Sequence, residues 1–158
     1  MTGSEVRVRT AVEDDLAALR AVFRRASLSN PADVPMLTAH PETLVWSADG
    51  LTAGRVRAAV ARDGRVIGFS GARPRGSTLV LDDLFVEPDW MGRGVGRLLV
   101  DDVVTRATAD GITRIEVEAN VHAVPFYLCV GFESDGEVRL PLGSAVQMHR
   151  DLFPATRN

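Results

Sequence analysis

The chain is predicted to fold as an α/β protein, with a mixed β-sheet that carries helices on its faces. Three observations lead there. Short segments alternate apolar and polar residues with a period of two, as in Val6-Arg7-Val8-Arg9 and in Ile115, Val117, Ala119. Other segments space their apolar residues by three and four. The two kinds interleave in the order β-α-(α)-β-β-β-α-β-α-β-β, which segregates neither strands nor helices. With 158 residues, 46% hydrophobic and 25% charged, the chain is expected to form one domain over 1–158 with its own core.

Residues 5–10 form the first strand. Asp14 or Asp15 caps a helix bearing Leu16, Leu19, Val22 and Phe23. Segment 29–52, with prolines at 31, 35 and 41, is read as short helices and a mobile loop. Segments 57–61 and 66–72 are strands joined by the hairpin signal Asp63-Gly64. A turn at Pro74-Arg75-Gly76-Ser77 leads into a strand over 78–86. The best helix covers 94–109, with Val95, Leu98, Leu99 and Val103 on one face and Asp110-Gly111 as its stop. A strand over 114–119 follows. A short helix over 123–130 then has Pro125 in its first turn and Gly131 at its end. Two last strands, 132–140 and 145–152, flank Pro141-Leu142-Gly143-Ser144.

Composition excludes several functions. A net charge of −3 with interspersed signs leaves no basic stripe for nucleic acid. Apolar runs are too short for a membrane span, and Met1 to Glu5 show no secretory signal, so a cytoplasmic setting is expected. The one cysteine, Cys129, rules out an intrachain disulfide and is read as packing. Histidines 40, 122 and 149 have no metal-ligand spacing, so no metal is expected. All 18 basic residues are arginine, a usage that fits a GC-rich bacterial genome. The absence of lysine removes Schiff-base chemistry and the phosphate-binding P-loop.

The most informative stretch is Leu84-Phe85-Val86-Glu87-Pro88-Asp89-Trp90-Met91-Gly92-Arg93-Gly94-Val95-Gly96-Arg97. It reads as a strand, a proline-marked turn, a glycine-rich loop and a helix start. Glycines at 92, 94 and 96 let backbone N–H groups approach an anion, and first-turn N–H groups lack intrahelical partners. The helix dipole is positive there, so the arrangement suits a phosphate. It is not a dinucleotide fingerprint, because the third glycine of GxGxxG would fall on Arg97 or Leu99.

Asp82-Asp83-Leu84-Phe85-Val86-x-Pro with Gly92-Arg93-Gly94-Val95-Gly96 resembles the acetyl-CoA motif of the GNAT N-acetyltransferase superfamily. Glu118-Ala119-Asn120-x-x-Ala123-x-x-Phe126-Tyr127-x-x-x-Gly131-Phe132 resembles its second block. The resemblance covers nearly the whole chain. It implies a mostly antiparallel sheet of six to seven strands flanked by about four helices. It also implies acetyl-CoA as co-substrate, a small amine as acceptor and a homodimer as a possible state. The alternatives are a protein N-terminal or lysine acetyltransferase, and a non-catalytic CoA-binding regulatory domain. One departure is Met91, where the family has Gln or Arg; Arg93 and Arg97 are the positive charges that remain.

By the same resemblance, Leu84, Phe85 and Val86 offer main-chain groups to the pantetheine arm, and Met91 to Arg97 hold the diphosphate. Asn120, Ala123 and Phe126 meet the cofactor; for Asn120 a helix-capping role weighs equally. Tyr127, the one tyrosine, stands where the family protonates the leaving thiolate. Asp82 stands where polyamine-type members carry a basic Glu, with Asp83 and Glu118 as fallbacks and an arginine ion pair as the competing role for Asp82. The chemistry asks for such groups. An alkyl ammonium, pKa about 10.4, must lose a proton before it attacks a thioester, and a carboxylate can take it directly or through water. Met36, Leu37, Trp46 and the turn 141–144 are where the family builds its acceptor site, though Trp46 is read chiefly as an anchor. His122 is read as a surface residue.

Overall fold

The computed structural model describes residues 5–153; the N-terminal residues read above for a signal lie largely outside them. The strands are β1 (Val6–Thr10), β2 (Val56–Ala61), β3 (Val66–Arg75), β4 (Thr78–Val86), β5 (Arg114–Ala119), β6 (Glu133–Leu140) and β7 (Gly143–Asp151). The α-helices are α1 (Leu16–Ser27), α2 (Val34–Ala39), α3 (Asp49–Thr52), α4 (Val95–Ala109) and α5 (Val124–Cys129). They build one seven-stranded sheet in the order β1-β2-β3-β4-β5-β7-β6. The pairs β1/β2, β2/β3, β5/β7 and β6/β7 are antiparallel, and β4/β5 is parallel. A parallel neighbour needs a crossover, which α4 supplies. The mixed α/β fold expected from the sequence is thus the one observed.

The chain divides into two compact units. The first comprises the residues up to Gly71 together with Asp83–Leu99. On one side of its strands, Leu19 and Val22 of α1 pack with Trp46, Leu51, Ala58 and Phe69. On the other, Val95 and Leu99 of α4 pack with Val6, Ala59, Ala61 and Ile67. β2 is therefore buried almost throughout, as is β3 up to Gly71, and both read as apolar runs rather than alternations. The second unit comprises Ala72–Asp82 and the chain from Val100 onward. Its strand β5 does alternate: Ile115, Val117 and Ala119 are buried, while Glu118 is exposed.

Several local expectations are corrected. The turn placed at 74–77 shrinks to Gly76-Ser77, because β3 stays extended through Arg75. β7 likewise begins at Gly143 inside the expected turn. Asp15 does not cap α1 with its side chain. Its carboxylate instead accepts from both Arg9 guanidinium nitrogens, at 2.8 and 3.0 Å, and from the Val12 N–H at 2.8 Å. The Arg9 hydrogen bond is the main reason its carboxyl is held below the usual carboxylate range, against the opposing effect of burial. Segment 29–52 holds α2, α3 and two short 3₁₀ turns, and is tied down by buried Leu37, Leu44, Trp46 and Leu51. Cys129 is exposed, so it is not a packing residue. Among the described residues no helix is long and apolar enough to cross a membrane.

Candidate active site

In the first unit, β4 ends at Val86 and the chain enters a single 3₁₀ turn, Pro88–Trp90. Pro88 opens that turn, where its missing N–H is no loss. Met91 is extended and exposed, and α4 starts at Val95. Between them Gly92 and Gly94 adopt φ of +74° and +85°, a region that costs an L side chain roughly 1–2 kcal/mol. Nothing stands within 4 Å of a Cβ placed on either, so glycine is needed there for the backbone and not for room within the protein. Gly96 differs: it sits half-buried in the first turn of α4, with no positive φ. The Leu98 N–H reaches the Gly94 carbonyl at 3.0 Å, so Val95 and Gly96 carry first-turn N–H groups that precede the helical ladder. The result is a cluster of backbone donors under a positive helix end, with nothing but chain neighbours within 4 Å of a Cβ at Gly92 or Gly94. A diphosphate fits such a cradle.

Arg93 and Arg97 are both exposed beside this turn. The Arg93 guanidinium carbon lies 4.1 Å from the Trp90 ring centroid, a cation–π contact that holds its charge at the loop. Met91 adds no charge. β4 lies upstream, with Leu84 and Val86 packed on the α4 side and Phe85 on the α1 side, against Phe23 and Phe69 at 4.9 and 5.5 Å. Asp83 is half-buried, and its carboxylate rests over Gly71, where a Cβ would stand 2.5 Å from Oδ2. Trp46 is buried with its ring 5.1 Å from Phe69, which is the anchoring role. Leu37 is buried as well, and Met36 half-buried.

Sequence reasoning missed Glu87 and Arg25. Glu87 is 6% exposed, and its two oxygens meet Arg25 Nε and Nη2 at 2.5 and 2.8 Å. An acid at the end of an apolar strand is a signal in itself, since burial demands a partner. Its partner lies 62 residues away and could not be read from the pattern.

In the second unit, Tyr127 is buried in the middle of α5. Its ring meets those of Phe126 and Phe132 edge-on, at 5.2 and 5.3 Å. Burial pushes its phenol well above the ordinary value, so the hydroxyl stays protonated at any physiological pH. Asn120 begins the 3₁₀ turn ahead of α5, and its Oδ1 accepts from the His122 N–H at 2.8 Å, so the capping role is observed. Ala123 and Phe126 are half-buried, and His122 is exposed. Asp82 is exposed, and its Oδ2 accepts from Arg73 Nε at 2.9 Å, the ion pair that competed with a role as base. The parallel ladder of β4 with β5 runs from Thr78↔Arg114 to Leu81↔Val117. A charged face borders it: Glu116 meets Arg75 and Arg114, and His149 meets Asp135 at 2.8 Å. Among the described residues no group of His, Cys, Asp and Glu is arranged to hold a metal.

Residues 45–149 match the acetyltransferase (GNAT) domain family. This chain belongs to the GNAT acetyltransferase family. Among curated relatives of this GNAT chain is a peptidyl-lysine N-acetyltransferase, YjaB, of Salmonella typhimurium. It is 41% identical over 75 residues, which is 47% of this chain and 50% of that protein. A chloroplastic serotonin N-acetyltransferase 2 of Oryza sativa subsp. japonica is 29% identical over 130 residues, 80% of this chain and 60% of that protein. The match thus spans only half to three fifths of these two relatives. In structure, the GNAT chain superimposes on the PaiA N-acetyltransferase from Thermoplasma acidophilum, solved in complex with coenzyme A. The TM-score is 0.73 over 92% of this chain and 98% of that one, at 17% identity, a likeness of fold.

Proposed function

We propose that this GNAT chain transfers the acetyl group of acetyl-CoA to a primary amine, by direct attack in a ternary complex, and that the acceptor is a small molecule. The observation that carries the reading is the turn of positive-φ glycines running into the N-terminus of α4. Acetyl-CoA supplies the thioester and a diphosphate. The N–H groups of residues 92–97 take the diphosphate, and the charge of Arg93, fixed over Trp90, adds attraction. Leu84, Phe85 and Val86 offer main-chain groups to the pantetheine arm as an added strand would receive them. Asn120, Ala123 and Phe126 are the further residues assigned to the cofactor.

Tyr127 delivers its proton to the sulfur as the C–S bond breaks and the new C–N bond forms. A phenol kept neutral by burial is suited to give a proton and not to take one. Asp82, exposed despite its ion pair with Arg73, receives the amine's proton through a water. Asp83 and Glu118 are the next carboxylates in line.

A second reading has its own support. The relative with 41% identity acts on peptidyl lysine, so a lysine side chain of a protein is the rival acceptor. Thiol release from acetyl-CoA, measured across a panel of small amines and lysine peptides, separates the two. Release with small amines alone is the expected result. Release with peptides alone transfers the assignment to protein acetylation, and no release with any amine leaves a CoA-binding domain without transferase activity.

A further inference from the structure

We infer that Arg25 and Glu87 form a positioning pair for cofactor binding, by which the end of α1 sets the geometry of the glycine turn. This rests on the reading that the turn binds the diphosphate of CoA. Glu87 is the hinge between β4 and the turn, and all its polar groups are engaged. Its carboxylate is held bidentately by Arg25, from the last turn of α1. Its N–H donates to the Ile67 carbonyl of β3 at 2.8 Å, and its own carbonyl accepts from the Trp90 N–H at 2.8 Å. Pro88 follows at once with a fixed φ, and the Met91 N–H closes on the Pro88 carbonyl at 3.2 Å. Helix, strand and turn therefore meet at one residue, a few residues before the donors that the turn presents.

The physical reason for a charged pair here is direction. An ion pair with one buried partner stabilises a fold no more than apolar residues of equal volume, but a guanidinium–carboxylate fork admits one relative orientation. A site made of backbone N–H groups has no side-chain rotamers with which to absorb a shift. Misplacement of such a site by about 1 Å costs on the order of a hundredfold in a positioned reaction, so a smaller shift is felt as lost affinity. Trp90, bonded to Glu87 through the main chain, also carries the ring that seats Arg93, so the pair sets the place of that charge too.

The test compares Glu87→Gln, which removes the charge, with Arg25→Lys, which keeps the charge and loses the fork. Each is expected to raise the calorimetric Kd for CoA and the KM for acetyl-CoA about tenfold, with kcat held within about twofold. The Arg25 side chain is 56% exposed and tolerates replacement, so Arg25→Lys decides the matter where Glu87→Gln fails to fold. An unchanged Kd with a lowered melting temperature makes the pair merely structural and overturns the inference. So does a fall in kcat at unchanged KM. An unmodified chain that gives no heat with CoA removes the reading of the turn itself. Heat from the unmodified chain that the variants fully retain removes the positioning pair alone.

Discussion

At Gly92 and Gly94 the chain does without side chains, whereas at α5 it packs two phenylalanine rings around a single phenol. The glycine turn presents main-chain donors, which every residue carries, so much of its sequence can change without loss of the donors. On the proposed reading, Met91 can therefore stand where the family has Gln or Arg. The phenol at α5 is the opposite case: its chemistry belongs to one oxygen atom, and its raised pKa comes from the burial around it. The contrast teaches where tolerance lies. Recognition spread over several amides degrades gradually, and proton transfer from one side chain fails at once.

Tyr127→Phe attacks the second region and should have the largest effect. It keeps the ring in its aromatic nest and removes the hydroxyl. We expect kcat to fall about a hundredfold while the CoA Kd stays within about twofold, by steady-state kinetics and calorimetry. Equal losses in both would mean that the ring, and not its proton, matters. The same residue predicts a pH effect. Its folded pKa lies above 10.0, the value for an unburied phenol, so the fold favours the neutral form. The stability from its burial is whole below pH 10 and declines as pH rises beyond it, because the unfolded chain then binds fewer protons than the native one. In thermal melts from pH 8 to 11, the parent should lose melting temperature relative to Tyr127→Phe toward the alkaline end.

Gly94→Val attacks the first region through its backbone. A β-branched residue at φ +85° carries a strain of about 1–2 kcal/mol, expected as roughly a tenfold loss of CoA affinity with modest loss of melting temperature. Binding unaltered by this change would show that the turn relaxes without cost, and the tolerance argued above would extend even to φ. Arg93→Ala should have the smallest effect, about a threefold weaker Kd at low salt that fades as salt rises. A loss as large as that from Gly94→Val would make Arg93 a principal anchor and the backbone secondary.

The carboxylates show why parts of the candidate site stayed hidden in the sequence. Asp82 and Asp83 are adjacent, and alternation places them on opposite faces, but nothing in the pattern says that Arg73 meets the first and that Gly71 makes room for the second. Glu87 sits three residues on from Leu84, in a motif read for its glycines, and its arginine comes from α1. Long-range partners of charged residues depend on which elements the tertiary fold brings together. Hydrophobic period and turn chemistry are local and carry no such information.

The local signals did determine much. The strand over 78–86, the helix beginning next to Gly94 and the strand over 114–119 were all legible, because alternation, helical spacing and glycine punctuation are properties of neighbouring residues. So was family membership, which two spaced motifs carry. What the tertiary structure alone decided is which side chains are withdrawn from water and with whom. It buried Tyr127 and Glu87, left Cys129 exposed and turned the Asp15 carboxylate from a helix cap into the partner of Arg9. The reason is physical: burial and ion pairing arise from contacts across the packed chain, and their energies depend on a dielectric environment that exists only once the fold has closed.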